Sequence, residues 1–366
     1  MVCILSVLLV EPSQAIVENI IHISGHFMVK MRTERDKRRS RAIVFPILDP
    51  VFGEVGEWFA REWEASRRPY RFRTFTSLDH EQSDAGEPDW DHLASGKSLL
   101  LVHGTFSQAH TGFGSFSPQF VDELHEIYNG RVFAFDHPTL SDDPRQNATW
   151  FVQHLPEGIE LVVDIICHSR GGLVSRVLAE KQTELPTGNR RIDVDKIIFV
   201  ASPNAGTILA DLAHIGDFVD SYTNILNFTP NNLVTEVLQV LITAAKHMTV
   251  GALERLDGLQ AMRPNGPFLR WLNSPATNPG HYFSVAGNYE PQERAWRQYV
   301  ANRLMDRIFK APNDLVVPTV STYGANGSNH FPIATRLDFS EIDGVHHTEY
   351  FGNNVTRRSI LEWLST

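Results

Sequence analysis

The sequence is short of cysteine. Only Cys3 and Cys167 occur in 366 residues, one near the start and one midway, so no disulfide framework is implied and a reducing compartment is the natural setting. Long apolar runs are missing too. No stretch reaches the roughly 18–20 apolar residues of a membrane-spanning helix, so no transmembrane segment is expected. A basic excess is also lacking. Lys and Arg total 33 against 43 Asp and Glu, a formal net charge of −10, which argues against nucleic acid as the main partner. There is no internal repeat and no low-complexity tract, which excludes a repeat array. What remains is an ordinary globular composition, 42% hydrophobic and 21% charged, with length enough for one large domain and additions.

The N-terminal stretch is mixed. Val2 to Val10 is apolar and Ser13-Gln14-Ala15 is similar to a small-residue cleavage site, yet no Lys or Arg precedes the run and Glu11 follows it at once. A secretory signal carries a positive first region, so the reading is cytoplasmic, with secretion as the alternative. Lys30 to Arg41 is strongly basic. It reads as a solvated linker, with contact to anionic lipid or nucleic acid as the other possibility. Residues 1–41 are therefore expected to form a poorly ordered lead segment. Residues 42–95 read as an extension packed on the core, with a strand at Ile43–Leu48, an amphipathic helix at Gly53–Ser66 and an edge strand at Tyr70–Phe75. Residues 79–97, acidic and containing Gly and Pro, read as loop.

The most informative segment is Val163-Asp164-Ile165-Ile166-Cys167-His168-Ser169-Arg170-Gly171-Gly172, followed by the amphipathic Leu173–Ala179. It reads as a strand, a one-residue corner and a helix. A nucleophile on such a strained corner needs small neighbours two positions away on either side, or backbone and helix collide. Cys167 and Gly171 meet that need, although the first position is usually Gly. An ordinary strand end with a helix cap is the bland alternative. A second buried-type strand, Ser98–Val102, ends in His103-Gly104-Thr105 about 65 residues earlier. That order supplies what an oxyanion requires: one backbone N–H after the nucleophile, from Arg170, and one from the loop after an earlier strand, from Thr105. A third strand, Lys196–Val200, runs into Ala201-Ser202-Pro203-Asn204-Ala205-Gly206-Thr207. Further strands are read near 131–136 and 281–287. Asp136 and His137 fall at a strand's carboxyl end, where they are read as loop-fixing groups.

With those three segments in order, the chain resembles the lipase-like branch of the α/β-hydrolase superfamily over roughly residues 95 to 366. The resemblance rests on its "LVHG" strand, "HSxGG" elbow and "SPxxGT" loop. It implies an α/β fold: a mostly parallel central sheet with helices on both faces, in a domain spanning 96–366, plus a helical cap inserted at about 207–275. It also implies the chain order nucleophile, acid, histidine. Pro312-Asn313-Asp314-Leu315-Val316-Val317 looks like the acid loop of lipases, and Asp343-Gly344-Val345-His346-His347-Thr348 looks like the loop carrying the catalytic histidine. In that register His347 is the base and Asp314 its acid. The other register makes His346 the base. Asp343 and Glu349 are rival acids, though they lie unusually close to the histidines in sequence.

The roles implied are Ser169 as nucleophile, His347 as base, Asp314 as the acid fixing its tautomer, and the N–H groups of Thr105 and Arg170 as oxyanion donors. No metal and no organic cofactor is called for. The expected substrate is a small-molecule or lipid ester, with thioester or amide cleavage, or a non-catalytic use of the fold, as alternatives. Within the cap, Leu233–Ala245 is apolar on more than one face. Such a helix has to be buried or to meet an apolar partner.

Overall fold

In the computed structural model, the described residues are 15–23, 26–33 and 41–46, by backbone alone, and 61–62, 64–66, 68–210, 256–275, 280–290, 311–325 and 331–366. The expected apolar start at 2–10, most of the basic run, most of the helix at 53–66 and the Leu233–Ala245 segment lie outside them.

The first three strands, β1 (Ala15–Ile23), β2 (His26–Thr33) and β3 (Arg41–Pro46), pair antiparallel in that order as a separate sheet. Only β3 matches a strand read from the sequence. The main sheet has seven strands: β4 (Arg71–Thr74), β5 (Ser98–Val102), β6 (Val132–Asp136), β7 (Val162–His168), β8 (Asp193–Val200), β9 (His281–Gly287) and β10 (Thr335–Phe339). Their spatial order is β10-β9-β8-β7-β5-β6-β4. All neighbours run parallel except β4, which closes one edge antiparallel to β6. The central strands are buried on both faces, which is why they read as unbroken apolar runs.

Alternation along each strand divides the core in two. Leu99, Leu101, Ile166, Ile198 and Val200 face one layer, where helices α3 (Pro118–Tyr128) and α9 (Asn354–Ser365) pack with Phe120, Leu124, Ile360 and Trp363. Leu100, Val102, Ile165, Ile197 and Phe199 face the other. There α4 (Pro144–Gln153), α5 (Gly171–Glu180) and α7 (Pro267–Leu272) bring Phe151, Val174, Val177 and Leu269. Helix starts follow local chemistry. Ser117 and Asp143 cap α3 and α4 through side-chain oxygens, each followed by a proline in the first turn. Short helices α1 (Trp90–Ala94), α2 (Ala109–Gly112), α6 (Asp257–Gln260) and α8 (Thr319–Tyr323) lie between these elements. Helix α1 lies in the segment read as loop, so that expectation is corrected. Asp89 accepts the His92 N–H and Leu93 is buried, two local signals that outweigh the acidic composition around them.

One buried carboxylate ties the lead-in to the sheet's carboxyl end. Glu64 accepts the backbone N–H of Thr139 (2.7 Å), Leu140 (2.9 Å) and Ser141 (2.8 Å), and also the Ser141 hydroxyl (2.7 Å). It thereby fixes the loop after β6.

Candidate active site

Strand β7 ends at His168, and Ser169 turns the chain at φ 51° before α5 begins. Positive φ is strained for a residue with a Cβ. Packing holds it there. A Cβ on Gly171 would lie 2.3 Å from the Val102 carbonyl oxygen, and one on Gly172 would lie 2.3 Å from Ser202 Oγ. The double glycine therefore lets α5 start against β5 and the β8 loop. Cys167 is small and buried, and burial pushes its thiol up to about 12, so it is an inert spacer.

Three residues far apart in sequence meet at this corner. The Ser169 hydroxyl donates to His347 Nε2 at 3.1 Å, and His347 Nδ1 lies 2.9 Å from Asp314 Oδ2. The imidazole therefore carries its proton on Nδ1. All three side chains are buried. Burial pushes the Asp314 carboxyl up, but His347 and the backbone N–H groups of Val316 and Val317 outweigh that and hold it below its ordinary range. Both N–H groups donate to Oδ1, at 3.1 and 2.8 Å. The Tyr350 hydroxyl donates to Oδ2 at 3.0 Å.

The rival groups are engaged elsewhere. His346 points to Glu349, 3.1 Å away, and sits edge-on to Tyr289. Asp343 accepts the Ser340 N–H and hydroxyl in a local cap.

The loop after β5 lies against the corner. A Cβ on Gly104 would come within 2.6 Å of Ser169 Cβ, so only glycine lets this backbone approach. Thr105 and Arg170 are both buried, one beside Gly104 and one directly after Ser169. The Arg170 side chain turns away from the serine: Nε donates to the Gly258 carbonyl at 2.9 Å, and a second donor reaches the Asp142 carbonyl. The loop after β8 is tied to the same end of the sheet. Asn204 Nδ2 donates to the Thr322 carbonyl at 2.8 Å, Thr207 Oγ1 to the Val316 carbonyl at 2.6 Å, and Thr207 N–H to the Met262 carbonyl at 2.9 Å. The described ends of the expected cap thus meet beside the Asp314 loop.

Three histidines around the corner are kept neutral. Burial brings His103 down to about 4 and His168 to about 3, the latter helped by His347, and it lowers His137 well below its ordinary value. His168 donates from Nε2 to the His347 carbonyl at 2.9 Å. His103 Nε2 accepts the His137 N–H at 3.1 Å, and the two rings stack at 4.2 Å. Asp136 accepts the Ala109 N–H at 2.7 Å, fixing the start of α2. No local pattern in the sequence marks Glu64 or His168 for these parts. Only Tyr350 had a local signal, a hydroxyl three residues beyond His347. Among the described residues, no group of three or more His, Cys, Asp or Glu is arranged to hold a metal ion, and no helix is long and apolar enough to cross a membrane. An open cleft of about 690 Å³ beside α4 is lined by Tyr70, Trp150 and Trp271, but by none of Ser169, Asp314 or His347.

A serine at a positive-φ strand-to-helix corner, on a mostly parallel sheet in this strand order with one antiparallel edge, defines an α/β-hydrolase fold. The chain belongs to the family described as "Domain of unknown function (DUF7379)", whose model matches residues 67–365. Similar solved structures include lipase 1 from Pelosinus fermentans, at 16% identity over 74% of this chain and 98% of that one, TM-score 0.46. The Staphylococcus hyicus lipase matches at 13% identity over 74% and 92%, TM-score 0.43. An alpha/beta hydrolase fold protein from Chitinophaga pinensis matches at 10% identity over 97% and 98%, TM-score 0.38. No curated protein matches the sequence.

Proposed function

We propose that this protein is a serine hydrolase that cleaves carboxylic esters through an acyl-enzyme, with Ser169 as nucleophile, His347 as base and Asp314 as its acid. One observation carries the reading: the unbroken line from Ser169 Oγ through His347 to Asp314 Oδ2, with steps of 3.1 and 2.9 Å. Ser169 Oγ attacks the ester carbonyl carbon while its proton passes to His347 Nε2. Asp314 stays ionised, holds the Nδ1–H tautomer and stabilises the imidazolium. The carbonyl oxygen becomes negative, and the N–H groups of Thr105 and Arg170 receive it. The first turn of α5 adds the positive end of its dipole. His347 then gives the proton to the leaving alkoxide. Water repeats the sequence on the acyl-enzyme and releases the acid.

In the same reading, residues 96–366 are the hydrolase domain, 42–95 an extension on the core and 1–41 a lead segment. A cap at about 207–275 selects the acyl group. The apolar Leu233–Ala245 segment supports uncharged acyl chains, in a small-molecule or a lipid ester. A fluorophosphonate probe should label the wild type and not Ser169→Ala. Undiminished labelling of that variant would overturn the proposal. His347→Ala should lose nearly all ester turnover, whereas His346→Ala keeps a measurable share. Asp314→Asn should keep the fold and lower kcat by about 10⁴-fold. Parallel panels of esters, thioesters and amides of graded chain length identify the preferred bond.

A further inference from the structure

We propose that Tyr350 is a positioning residue that sets the basicity of His347 through Asp314, an inference that rests on the reading of Ser169, His347 and Asp314 given above. A carboxylate offers about four lone-pair sites, and here all four are taken. Val316 and Val317 N–H fill Oδ1, while His347 Nδ1 (2.9 Å) and Tyr350 Oη (3.0 Å) share Oδ2. The carboxylate has no freedom to rotate away from the imidazole. The phenol also competes with His347 for the negative charge on that one oxygen.

The hydroxyl has a slot built for it. A Cβ on Gly287, at the end of β9, would lie 2.7 Å from Tyr350 Oη, and the Tyr350 ring is wholly buried beside Phe339. The loop is tied to Asp314 by its backbone as well, since His347 N–H donates to the Asp314 carbonyl at 3.1 Å. The neighbouring titratable groups are His168, His346, Glu349 and Asp338. His168, 4.9 Å from the His347 ring, is held neutral by burial. His346 faces Glu349 instead, and Asp338 acts on Tyr350 only through space.

Removing the hydroxyl returns the Oδ2 charge to His347 and stabilises the imidazolium. Tyr350→Phe should therefore move the acid limb of the kcat/KM profile upward, by about 0.5–1 pH unit. The loss of kcat should be larger at pH 6 than at pH 8, and KM should stay near the wild-type value because Tyr350 is wholly buried with its hydroxyl on Asp314. Gly287→Ala, which forces the phenol oxygen out of its slot, should shift the limb in the same direction. Rates are normalised to active sites titrated with a fluorophosphonate, so partly misfolded protein drops out. An unmoved acid limb in both variants overturns this inference, whether or not the yield of active protein falls. Failure of the wild type to be labelled at Ser169 instead overturns the hydrolase reading beneath it.

Discussion

Ser169 holds a backbone conformation, φ 51°, that costs a residue with a Cβ roughly 1–2 kcal/mol. The cost separates two ways of removing its hydroxyl. Ser169→Ala keeps the Cβ and the strain, whereas Ser169→Gly releases the strain at the price of a more flexible unfolded chain. The glycine variant is expected to be the more stable of the two by about 1 kcal/mol, read from urea unfolding midpoints. Equal midpoints would mean the corner stores nothing. At this scale the sequence was legible where chemistry leaves a local pattern. Small residues two positions either side of Ser169 marked the corner, and the resemblance of Gly344-Val345-His346-His347-Thr348 to a histidine loop marked His347 as the candidate base. It was silent where a role is made by a partner far along the chain. His168 meets the His347 carbonyl across 179 residues, and Tyr350 meets Asp314 across 36. Neither spacing has a periodicity to read.

Between elements, buried polar side chains do the joining. Glu64 is the clearest case, fully buried and taking three backbone N–H groups from the loop after β6. Glu64→Ala leaves those donors without their acceptor in a buried site, which should destabilise the fold by roughly 3–5 kcal/mol. The exposed Glu62, two residues away, should tolerate the same change within about 0.5 kcal/mol. A small loss in Glu64→Ala, measured against Glu62→Ala, would show that the loop finds other partners. The central strands were the most legible elements because both of their faces are buried, whereas the edge strand β10, largely exposed, left no apolar run to read. The apolar runs in β5, β7 and β9 were read within a few residues of their ends. Strand β8 begins at Asp193, earlier than its apolar stretch, because backbone pairing with β7 continues through polar residues that the pattern passes over. Helix α1 was missed for the converse reason: a single buried Leu93 makes too weak a stripe.

The whole molecule answers to pH through its neutral histidines. His103, His168 and His137 have folded values of about 4, about 3 and well below the ordinary 6.5. Below pH 6.5 the unfolded chain therefore binds protons that the folded chain refuses. Stability should be level above about pH 7 and fall as pH drops from 6.5 toward 4, by up to ~1.4 kcal/mol per pH unit for each histidine. Asp314, also depressed, adds its loss only below the ordinary carboxylate range near 4. Urea midpoints between pH 7.5 and 4.5 test this, and a flat series would contradict it. The separation of the meeting residues bears equally on how the molecule comes into being. Ser169 and His347 stand 178 residues apart, and β7, which carries the serine, is sandwiched between β5 and β8 in parallel pairings. Each parallel pairing has to close a long loop before it gains a contact. Helices can gather early, but the hydrogen-bonded line from Ser169 through His347 to Asp314 exists only once β5, β7, β8 and the segments around Asp314 and His347 are in register. A chain that holds native helices but lacks this pairing therefore lacks the Ser169–His347–Asp314 line, so that under the proposed mechanism fluorophosphonate labelling of Ser169 reports on the whole fold rather than on one segment.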